Sequence, residues 1–203
     1  MPRPSNTAQR RAQIVRGLLD VMARRGYEGA TVAAIAEAAG IAPGLVHYHF
    51  ETKEEILLEL TQHLVATVEG RLVARLARAG DDPARRLDAF IDAYLARDAD
   101  AEPGAVAAWV LVAAAAVRTP AARSLYQEAT RERLERLRRL LVEVLRARGK
   151  TTRNATRMAA VVLAAIEGSF VLGTAAPKEL PEAFAAPGLR RVVELWIDAE
   201  PDA

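Results

Sequence analysis

The chain has 203 residues, of which 51% are apolar, so it can bury a core and is not disordered by composition. The net charge is only +2, but residues 1–53 hold seven basic and four acidic side chains, a local charge of +3. This excess is a weak indication of contact with a polyanion. Cysteine is absent, which excludes disulfide bonds and thiolate chemistry.

The sequence shows neither a leader peptide nor a membrane span. Residues 1–17 contain no apolar stretch of the kind found in secretory signal peptides. The longest uninterrupted apolar run, 105–117, has 13 residues and is too short to cross a bilayer. We therefore expect a soluble, cytoplasmic protein with no membrane partner.

Apolar spacing predicts an all-α protein of about nine helices, without strand or hairpin signals. Three short helices over 8–25, 32–39 and 43–50 begin the chain, with Asn6 or Thr7 as the expected cap of the first. Thr31 is the expected cap of the second helix, and Gly40 its left-handed end. The remaining helices are predicted over 53–78, 84–97, 105–118, 120–148, 152–173 and 188–198, with breaks at 80–83 and 98–104.

The turn between the second and third helices contains only residues 40–42, which is the layout of a helix-turn-helix. In the third helix, Val46 and Phe50 are spaced to point inward, whereas Gly44, His47 and Tyr48 share the opposite face. A free face of this kind can enter the major groove of DNA. Spacing alone leaves an alternative open, a small helical subdomain in which Tyr48 and its neighbours only pack.

The sequence of this region resembles that of a known family. Residues 26–27 read GY, residues 31–50 read TVAAIAEAAGIAPGLVHYHF, and residues 52–57 read TKEEIL. Together they resemble the signature of the tetracycline-repressor (TetR) family over about fifty residues without a gap. Residues 109–137 and 164–168 are more loosely similar to the subgroup typified by the choline-responsive Bet repressor.

The resemblance implies two domains, a DNA-binding head over 1–52 and a helical ligand-binding and dimerisation domain over 53–203. It also implies a set of DNA contacts, to phosphates from the start of the second and fourth helices and to both bases and the DNA backbone from the third. The matching positions are Thr31, Pro43, Gly44, His47, Tyr48 and Lys53.

Two positions depart from the family pattern. Ala42 replaces the usual serine or threonine, so the third helix loses a side-chain cap, a loss of about 1 kcal/mol in typical proteins. His47 stands where the family usually has a tyrosine, so this contact can change with protonation. Both departures leave the operator sequence open.

The last two helices carry apolar stripes that are expected to form a homodimer interface. Small residues spaced by four on the eighth helix allow another helix to approach closely, and the ninth helix adds a second stripe. The resemblance implies that both helices pair with their copies, although packing within one chain would give the same pattern. The expected interface residues are Ala160, Ala164, Gly168, Leu189, Val193 and Trp196.

Aromatic and polar-tipped residues on the apolar helices suggest a pocket for an unknown small-molecule effector. The candidates are Phe90, Tyr94, Trp109, Tyr126 and Glu167. Core packing alone also explains each of them taken singly. Glu167 is surrounded by apolar residues, and the sequence leaves open whether it meets an arginine or a ligand.

The combined prediction is a ligand-responsive, sequence-specific regulator that binds a palindromic double-stranded operator as a dimer, and a repressor by family expectation. Catalysis is not expected, because no nucleophile–base pair or glycine-rich phosphate loop is present. No cofactor is expected, and no metal site, because His47 and His49 face different sides of one helix. Two alternatives remain, a DNA-binding protein that senses nothing and a ligand-binding protein whose head has lost DNA binding.

Overall fold

The computed structural model describes residues 6–96 and 104–203, and the described residues form helices and no strand, which confirms the all-α class. A single 3₁₀ turn, Pro177–Glu179, precedes the last helix. The helices are α1 (Asn6–Arg25), α2 (Val32–Ala39), α3 (Pro43–His49), α4 (Lys53–Ala79), α5 (Pro83–Leu95), α6 (Ala105–Arg118), α7 (Pro120–Ala147), α8 (Ala155–Ala175) and α9 (Ala185–Ala199).

The helix ends predicted from local sequence agree with most of the observed ends to within a few residues. Gly40 adopts φ 65° and ends α2 in the left-handed region, and Pro43 is the first residue of α3, as expected. The start of α1 differs, because the helix already includes Asn6 and therefore neither Asn6 nor Thr7 precedes it as a cap. The predicted break at 98–104 lies outside the described residues, apart from Gly104.

The chain divides into two compact units by its backbone contacts. The first consists of residues up to Val65 together with Ala108–Gln127, and the second of Ala66–Ala107 with Glu128–Ala203. The first unit contains α1 to α3, the first half of α4, most of α6 and the beginning of α7. The functional boundary predicted between residues 52 and 53 stays a prediction.

The first unit depends on close packing of α1 against α2. Ile14, Leu18 and Met22 of α1 are buried along one face. Gly17 lies on the side that meets α2, where a Cβ atom would stand 2.7 Å from the Ile35 carbonyl oxygen and 3.0 Å from the Ala39 Cβ. A glycine is therefore required there, because the two backbones approach too closely for any side chain.

The core of the second unit is formed mainly by α5, α7 and α8, and α9 packs against α5 and α8. Fully buried members include Phe90 and Ile91 of α5, Leu137 and Leu141 of α7, and Ile166 of α8. At the edge of this core, Arg190 Nη1 of α9 pairs with Asp92 Oδ2 of α5 at 2.7 Å. The ion pair fixes the position of α9 along α5.

Helix α8 is apolar on two faces. Its 21 residues include an 18-residue window of mean hydropathy 1.8, long and apolar enough to cross a membrane by length and composition, and 33% of that window is buried within the chain. Helix α8 does not form an uninterrupted apolar run, because Arg157 and Glu167 lie within it. One face of α8 packs in the core, and the other exposes Val161, Val171 and Leu172.

The Gly17 contact generates a stability prediction. Gly17→Ala is expected to lower the free energy of unfolding by about 1 to 3 kcal/mol, because the added methyl group meets a backbone oxygen that cannot move aside cheaply. Urea unfolding followed by circular dichroism measures the change. Gly70→Ala is the matched control, since Gly70 lies in the interior of α4 with nothing within 4 Å of its added Cβ.

The control should raise stability by up to about 1 kcal/mol, through helix propensity alone. If Gly17→Ala stabilised the protein as much as Gly70→Ala does, the close packing of α1 on α2 would be wrong.

Candidate DNA interface and effector site

Helix α3 has one buried and one open face. Val46 and Phe50 are buried, at 1% and 2% exposure, whereas Tyr48 is 80% exposed and His47 is also exposed. A Cβ added to Gly44 would meet nothing within 4 Å, so the backbone at the start of α3 is open to a close approach. The predicted inward and outward residues of α3 are therefore confirmed.

Arg11 of α1 holds the C-terminal end of α3, a contact that the sequence analysis missed. Its guanidinium lies 4.0 Å from the Phe50 ring centroid, donates to the His49 carbonyl oxygen at 2.5 Å, and forms an ion pair with Glu59 of α4. A cation at this position also interacts favourably with the helix dipole. The partners are 38 to 48 residues apart, so no local spacing indicates the contact.

The caps of α2 and α3 differ as predicted. Thr31 Oγ1 accepts a hydrogen bond from the Ala34 N–H at 3.1 Å, while the residue remains exposed on the surface. Ala42, at the equivalent position before α3, provides no side-chain hydrogen bond. Pro43 has no N–H, and the Leu45 N–H donates to the Ala42 carbonyl oxygen at 2.9 Å, so a backbone contact and not a side chain closes the first turn of α3.

Lys53 is the first residue of α4 and is already held within the chain. Its Nζ donates to the Tyr27 carbonyl oxygen at 3.0 Å and lies 4.3 Å from the centroid of the Tyr27 ring. Burial raises the pKa of the Tyr27 hydroxyl, and the nearby Glu54 carboxylate raises it further, so the phenol stays neutral beneath the ammonium.

A capping box begins α4 immediately beside Lys53. The Glu55 N–H donates to Thr52 Oγ1 at 3.2 Å, and the Glu55 carboxylate reaches back to accept from the Glu51 N–H at 2.9 Å. These bonds fix the first turn of α4 and with it the Lys53 backbone.

A polar groove on the surface of α1 was also missed. It is lined by Gln9, Arg10, Ala12, Gln13 and Arg16, and Gln13 Nε2 donates to the Ala39 carbonyl oxygen at the end of α2. The groove thus lies beside the turn that leads into α3. An excess of cations in this helix was the available signal, but periodicity does not show which face they occupy.

The five predicted pocket residues fall into the two units. In the first unit, the Trp109 and Tyr126 rings stack at a centroid distance of 5.2 Å and an angle of 30°. In the second unit, the Phe90 and Tyr94 centroids are 4.9 Å apart, and Phe90 is completely buried. Their assignment to one effector pocket stays a prediction.

Glu167 meets an arginine of its own chain. Arg133 Nη1 of α7 lies 2.6 Å from Glu167 Oε1, with both side chains largely buried, and the Arg133 guanidinium is 5.9 Å from the Tyr94 ring centroid. A second ion pair, Arg136 with Glu69, lies near Tyr94 as well. Burial raises the pKa of Tyr94 to about 12, so its hydroxyl remains a hydrogen-bond donor.

A cavity of about 490 Å³ opens in the second unit beside Tyr94. Arg71 of α4, Phe170 of α8 and Phe184, just before α9, contribute to its walls. Tyr94 is the residue that links this cavity to the predicted pocket set. The other wall residues carry no pattern in the sequence that separates them from core positions.

The predicted dimer residues differ in their exposure. Ala160 and Ala164 of α8 are exposed, whereas Gly168, Leu189 and Trp196 are half-buried. Val193 is only 2% exposed, because its side chain packs in the core of its own chain. The exposed surface of the two helices also includes Val192, a member of the apolar stripe expected on the ninth helix. It further includes large apolar residues that the sequence analysis did not select: Val161, Val171, Leu172 and Leu195.

Within residues 6–96 and 104–203, no group of three or more histidine or acidic side chains is placed to hold a metal ion. In the first unit, α2, the turn at 40–42 and α3 form a helix-turn-helix in which α3 is open on its outer face.

Comparison with known proteins identifies the family. The family model described as bacterial regulatory proteins, tetR family, matches residues 14–60, and the model described as BetI-type transcriptional repressor, C-terminal, matches residues 83–199. The chain belongs to the TetR family of bacterial transcriptional regulators and carries a BetI-type C-terminal domain. Regulators of this family bind operator DNA and typically form dimers.

Individual relatives support this assignment. The chain is 32% identical over 142 residues to the HTH-type transcriptional regulator BetI of Rhizobium meliloti, a match that covers 70% of this chain and 62% of the relative. It is 29% identical over 120 residues to BetI of Stenotrophomonas maltophilia, covering 59% and 61%. The chain thus matches somewhat less than two thirds of the length of these curated relatives.

Solved structures share the fold. A transcriptional regulator from Rhodococcus sp. Rha1 superposes with a TM-score of 0.76 at 26% identity, covering 95% of this chain and 98% of that one. A transcriptional regulator from Saccharomonospora viridis, solved in complex with choline, superposes with a TM-score of 0.70 at 22% identity, covering 95% and 97%.

The missing cap of α3 generates a second prediction. Ala42→Ser is expected to raise the free energy of unfolding by about 1 kcal/mol, because the hydroxyl adds the side-chain acceptor that the first turn of α3 lacks. The urea midpoint measures the gain. Ala66→Ser is the matched control, because Ala66 is exposed and lies in the middle of α4, where a serine cannot act as a cap. It should lower the free energy of unfolding by roughly 0.5 kcal/mol. Equal effects of the two substitutions would contradict the role of residue 42 as the cap position.

Proposed function

We propose that the protein is a homodimeric, sequence-specific DNA-binding regulator of transcription, a repressor that a small-molecule effector releases from a palindromic operator. It acts in the cytoplasm and by binding alone, without catalysis. The observation that carries the proposal is the open face of α3, whose inner residues anchor it in the first unit while Tyr48 extends into solvent.

The residues on this face are suited to reading DNA. Gly44 allows the helix backbone to come close to the bases, and His47 and Tyr48 can donate hydrogen bonds to base edges or phosphates. Pro43 orients the start of α3 towards the groove. We assign Thr31 and Lys53, at the starts of α2 and α4, to the DNA backbone on the two sides of α3.

A dimer follows from the small size of the reading element. Helix α3 has 7 residues, so one copy contacts only a few base pairs. A twofold pair of heads reads two half-sites about 34 Å apart. We assign the dimer contact to the exposed apolar surface of α8 and α9, because monomeric proteins seldom leave such a surface open to water.

The effector acts through α4, which begins in the first unit and ends in the second. A small molecule that binds one conformation of the second unit more tightly must shift the population of head positions in the dimer, and by linkage it weakens DNA binding. The Saccharomonospora viridis regulator contains choline, which supports a small organic effector for this chain.

Operator binding tests the proposed function directly. Fluorescence anisotropy of the purified protein on DNA from its own promoter region should give binding well above that on a scrambled duplex. Tyr48→Ala should weaken operator binding by about 1 to 3 kcal/mol, because one contact of α3 with DNA is lost. Val117→Ala is the matched control, since Val117 is also highly exposed (75%) and belongs to the same unit, at the end of α6.

The control should bind the operator like the unaltered protein. Equal, steeply salt-dependent binding to both duplexes would contradict sequence-specific reading, because contacts with phosphates alone depend on salt and not on sequence. Retention of full affinity by Tyr48→Ala would contradict the proposed face of α3.

The dimer contact is tested by placing a charge on the exposed surface of α9. Leu195→Glu should raise the dimer dissociation constant by about a hundredfold or more, because a carboxylate without a partner is buried when the surfaces meet. Light scattering after size exclusion measures the mass across a dilution series. Val73→Glu, at an equally exposed apolar residue of α4, should leave the dimer intact, and a dimeric Leu195→Glu variant would exclude this surface.

A further inference from the structure

Arg11 joins three helices of the first unit through one side chain. From α1, its Nη1 donates to the His49 carbonyl oxygen of α3 at 2.5 Å, and its Nε donates to Glu59 Oε2 of α4 at 2.8 Å. Nη2 donates to the same Glu59 oxygen, so each of the three guanidinium nitrogens is already engaged. The guanidinium also lies 4.0 Å from the centroid of the Phe50 ring. A planar group with several donors is suited to reach these partners together.

Helix α3 depends on such external contacts for its position. It has 7 residues, whereas an isolated helix needs roughly 12 to be even marginally stable in water. The last carbonyl groups of a helix have no acceptor role within it, and Arg11 provides a donor to one of them, the His49 carbonyl oxygen. Its positive charge also interacts favourably with the negative end of the helix dipole. The C-terminal end of α3 is therefore fixed from α1.

The same guanidinium fixes α3 relative to α4. Glu59 lies within two turns of Lys53, in the part of α4 that belongs to the first unit. Lys53 is the residue assigned above to a DNA phosphate, and Tyr48 of α3 is assigned to the groove. Phosphate contacts set the position of a protein on the duplex, whereas contacts with base edges read the sequence. The offset between α3 and α4 therefore determines which bases the open face of α3 meets.

A small displacement of α3 is enough to alter its contacts with bases. A helix of 7 residues is about 10 Å long, so a tilt of about 10° around its C-terminal end moves the other end by roughly 2 Å. Hydrogen bonds tolerate only a few tenths of an ångström, since their lengths lie between about 2.7 and 3.2 Å. The end that moves carries Gly44, where the backbone is open to a close approach.

We propose that Arg11 is a positioning residue for sequence reading, which sets the offset between α3 and α4 and so the discrimination between the operator and other DNA. The inference rests on the proposed function, since it concerns the same open face of α3. Loss of Arg11 leaves the phosphate contacts assigned to Thr31 and Lys53 in place. Binding to any duplex therefore persists while the preference for the operator falls. An arginine that bound a phosphate directly would instead strengthen binding to every sequence.

Binding to two duplexes tests the proposal. Fluorescence anisotropy gives the dissociation constants of the full chain for its operator and for a scrambled duplex, and their ratio measures discrimination. Arg11→Gln should reduce the discrimination by about tenfold or more, the contribution of one base contact. The salt dependence of binding to the scrambled duplex should not change, because no phosphate contact is lost.

Arg10→Gln is the matched control. It removes the same charge from the neighbouring position of α1, where Nη1 donates to Gln13 Oε1 of the same helix at 2.8 Å. Its discrimination should equal that of the unaltered protein, since any general effect of charge acts on both duplexes and cancels in the ratio.

Arg11→Lys separates the bridge from the charge. A lysine keeps the positive charge and can pair with Glu59, but its compact ammonium does not span the acceptors on α3 and α4 together. Discrimination should therefore fall as it does in Arg11→Gln. Full discrimination by Arg11→Lys, a weaker salt dependence in Arg11→Gln, or an equal loss of discrimination in Arg10→Gln would overturn the proposal.

Hydrogen exchange without DNA gives a measurement that needs no operator. The Phe50 N–H donates to the Val46 carbonyl oxygen at 2.9 Å in the last turn of α3. It should exchange about tenfold or more faster in Arg11→Gln than in Arg10→Gln, the usual effect of losing a hydrogen bond to a charged group. The Leu18 N–H, in the middle of α1, should exchange equally in both variants, whereas a general loss of stability would accelerate both amides.

The two measurements fail in different ways. Unchanged exchange at Phe50 in Arg11→Gln would overturn the positioning role of Arg11. If the unaltered protein did not discriminate between the duplexes while exchange at Phe50 still became faster, the proposed sequence-specific function would be rejected and the role of Arg11 in placing α3 would be kept.

Discussion

The approach of α1 to α2 at Gly17 is the constraint on which the first unit depends. Only a backbone without a side chain brings the two helices this close, with a Cβ position 2.7 Å from the Ile35 carbonyl oxygen. Helix α3 is then anchored by Val46 and Phe50 inside the unit and by Arg11 at its end. Because these contacts use one face only, the other face of a seven-residue helix remains available for DNA.

Sequence predicts this unit well because its signals are local. Gly40, Pro43 and the Thr52 capping box each act within four residues, so their effects can be read from the chain. The Arg11–Glu59 and Arg133–Glu167 pairs could not be predicted, since their partners are 48 and 34 residues apart. Periodicity likewise finds an apolar stripe on α9 without showing that Val193 faces the core of its own chain.

Helix α8 shows why roles in the second unit are hard to separate by sequence. Leu163 and Ile166 serve the core, whereas Val161 and Leu172 remain on the surface assigned to the dimer. Towards its end, Phe170 and Thr174 border the cavity. A single helix thus contributes to the core, to the surface assigned to the dimer and to the wall of the cavity.

The position of Lys53 has a consequence for the entropy of the proposed contact with a DNA phosphate. Its ammonium rests on the Tyr27 ring and the Tyr27 carbonyl oxygen before any phosphate arrives. A lysine in solution loses rotamer freedom on binding, a cost of roughly 2 kcal/mol for this side chain, whereas a lysine held in advance has already lost much of it. In the proposed complex the phosphate would therefore bind a side chain that is already ordered, in a position set by Tyr27.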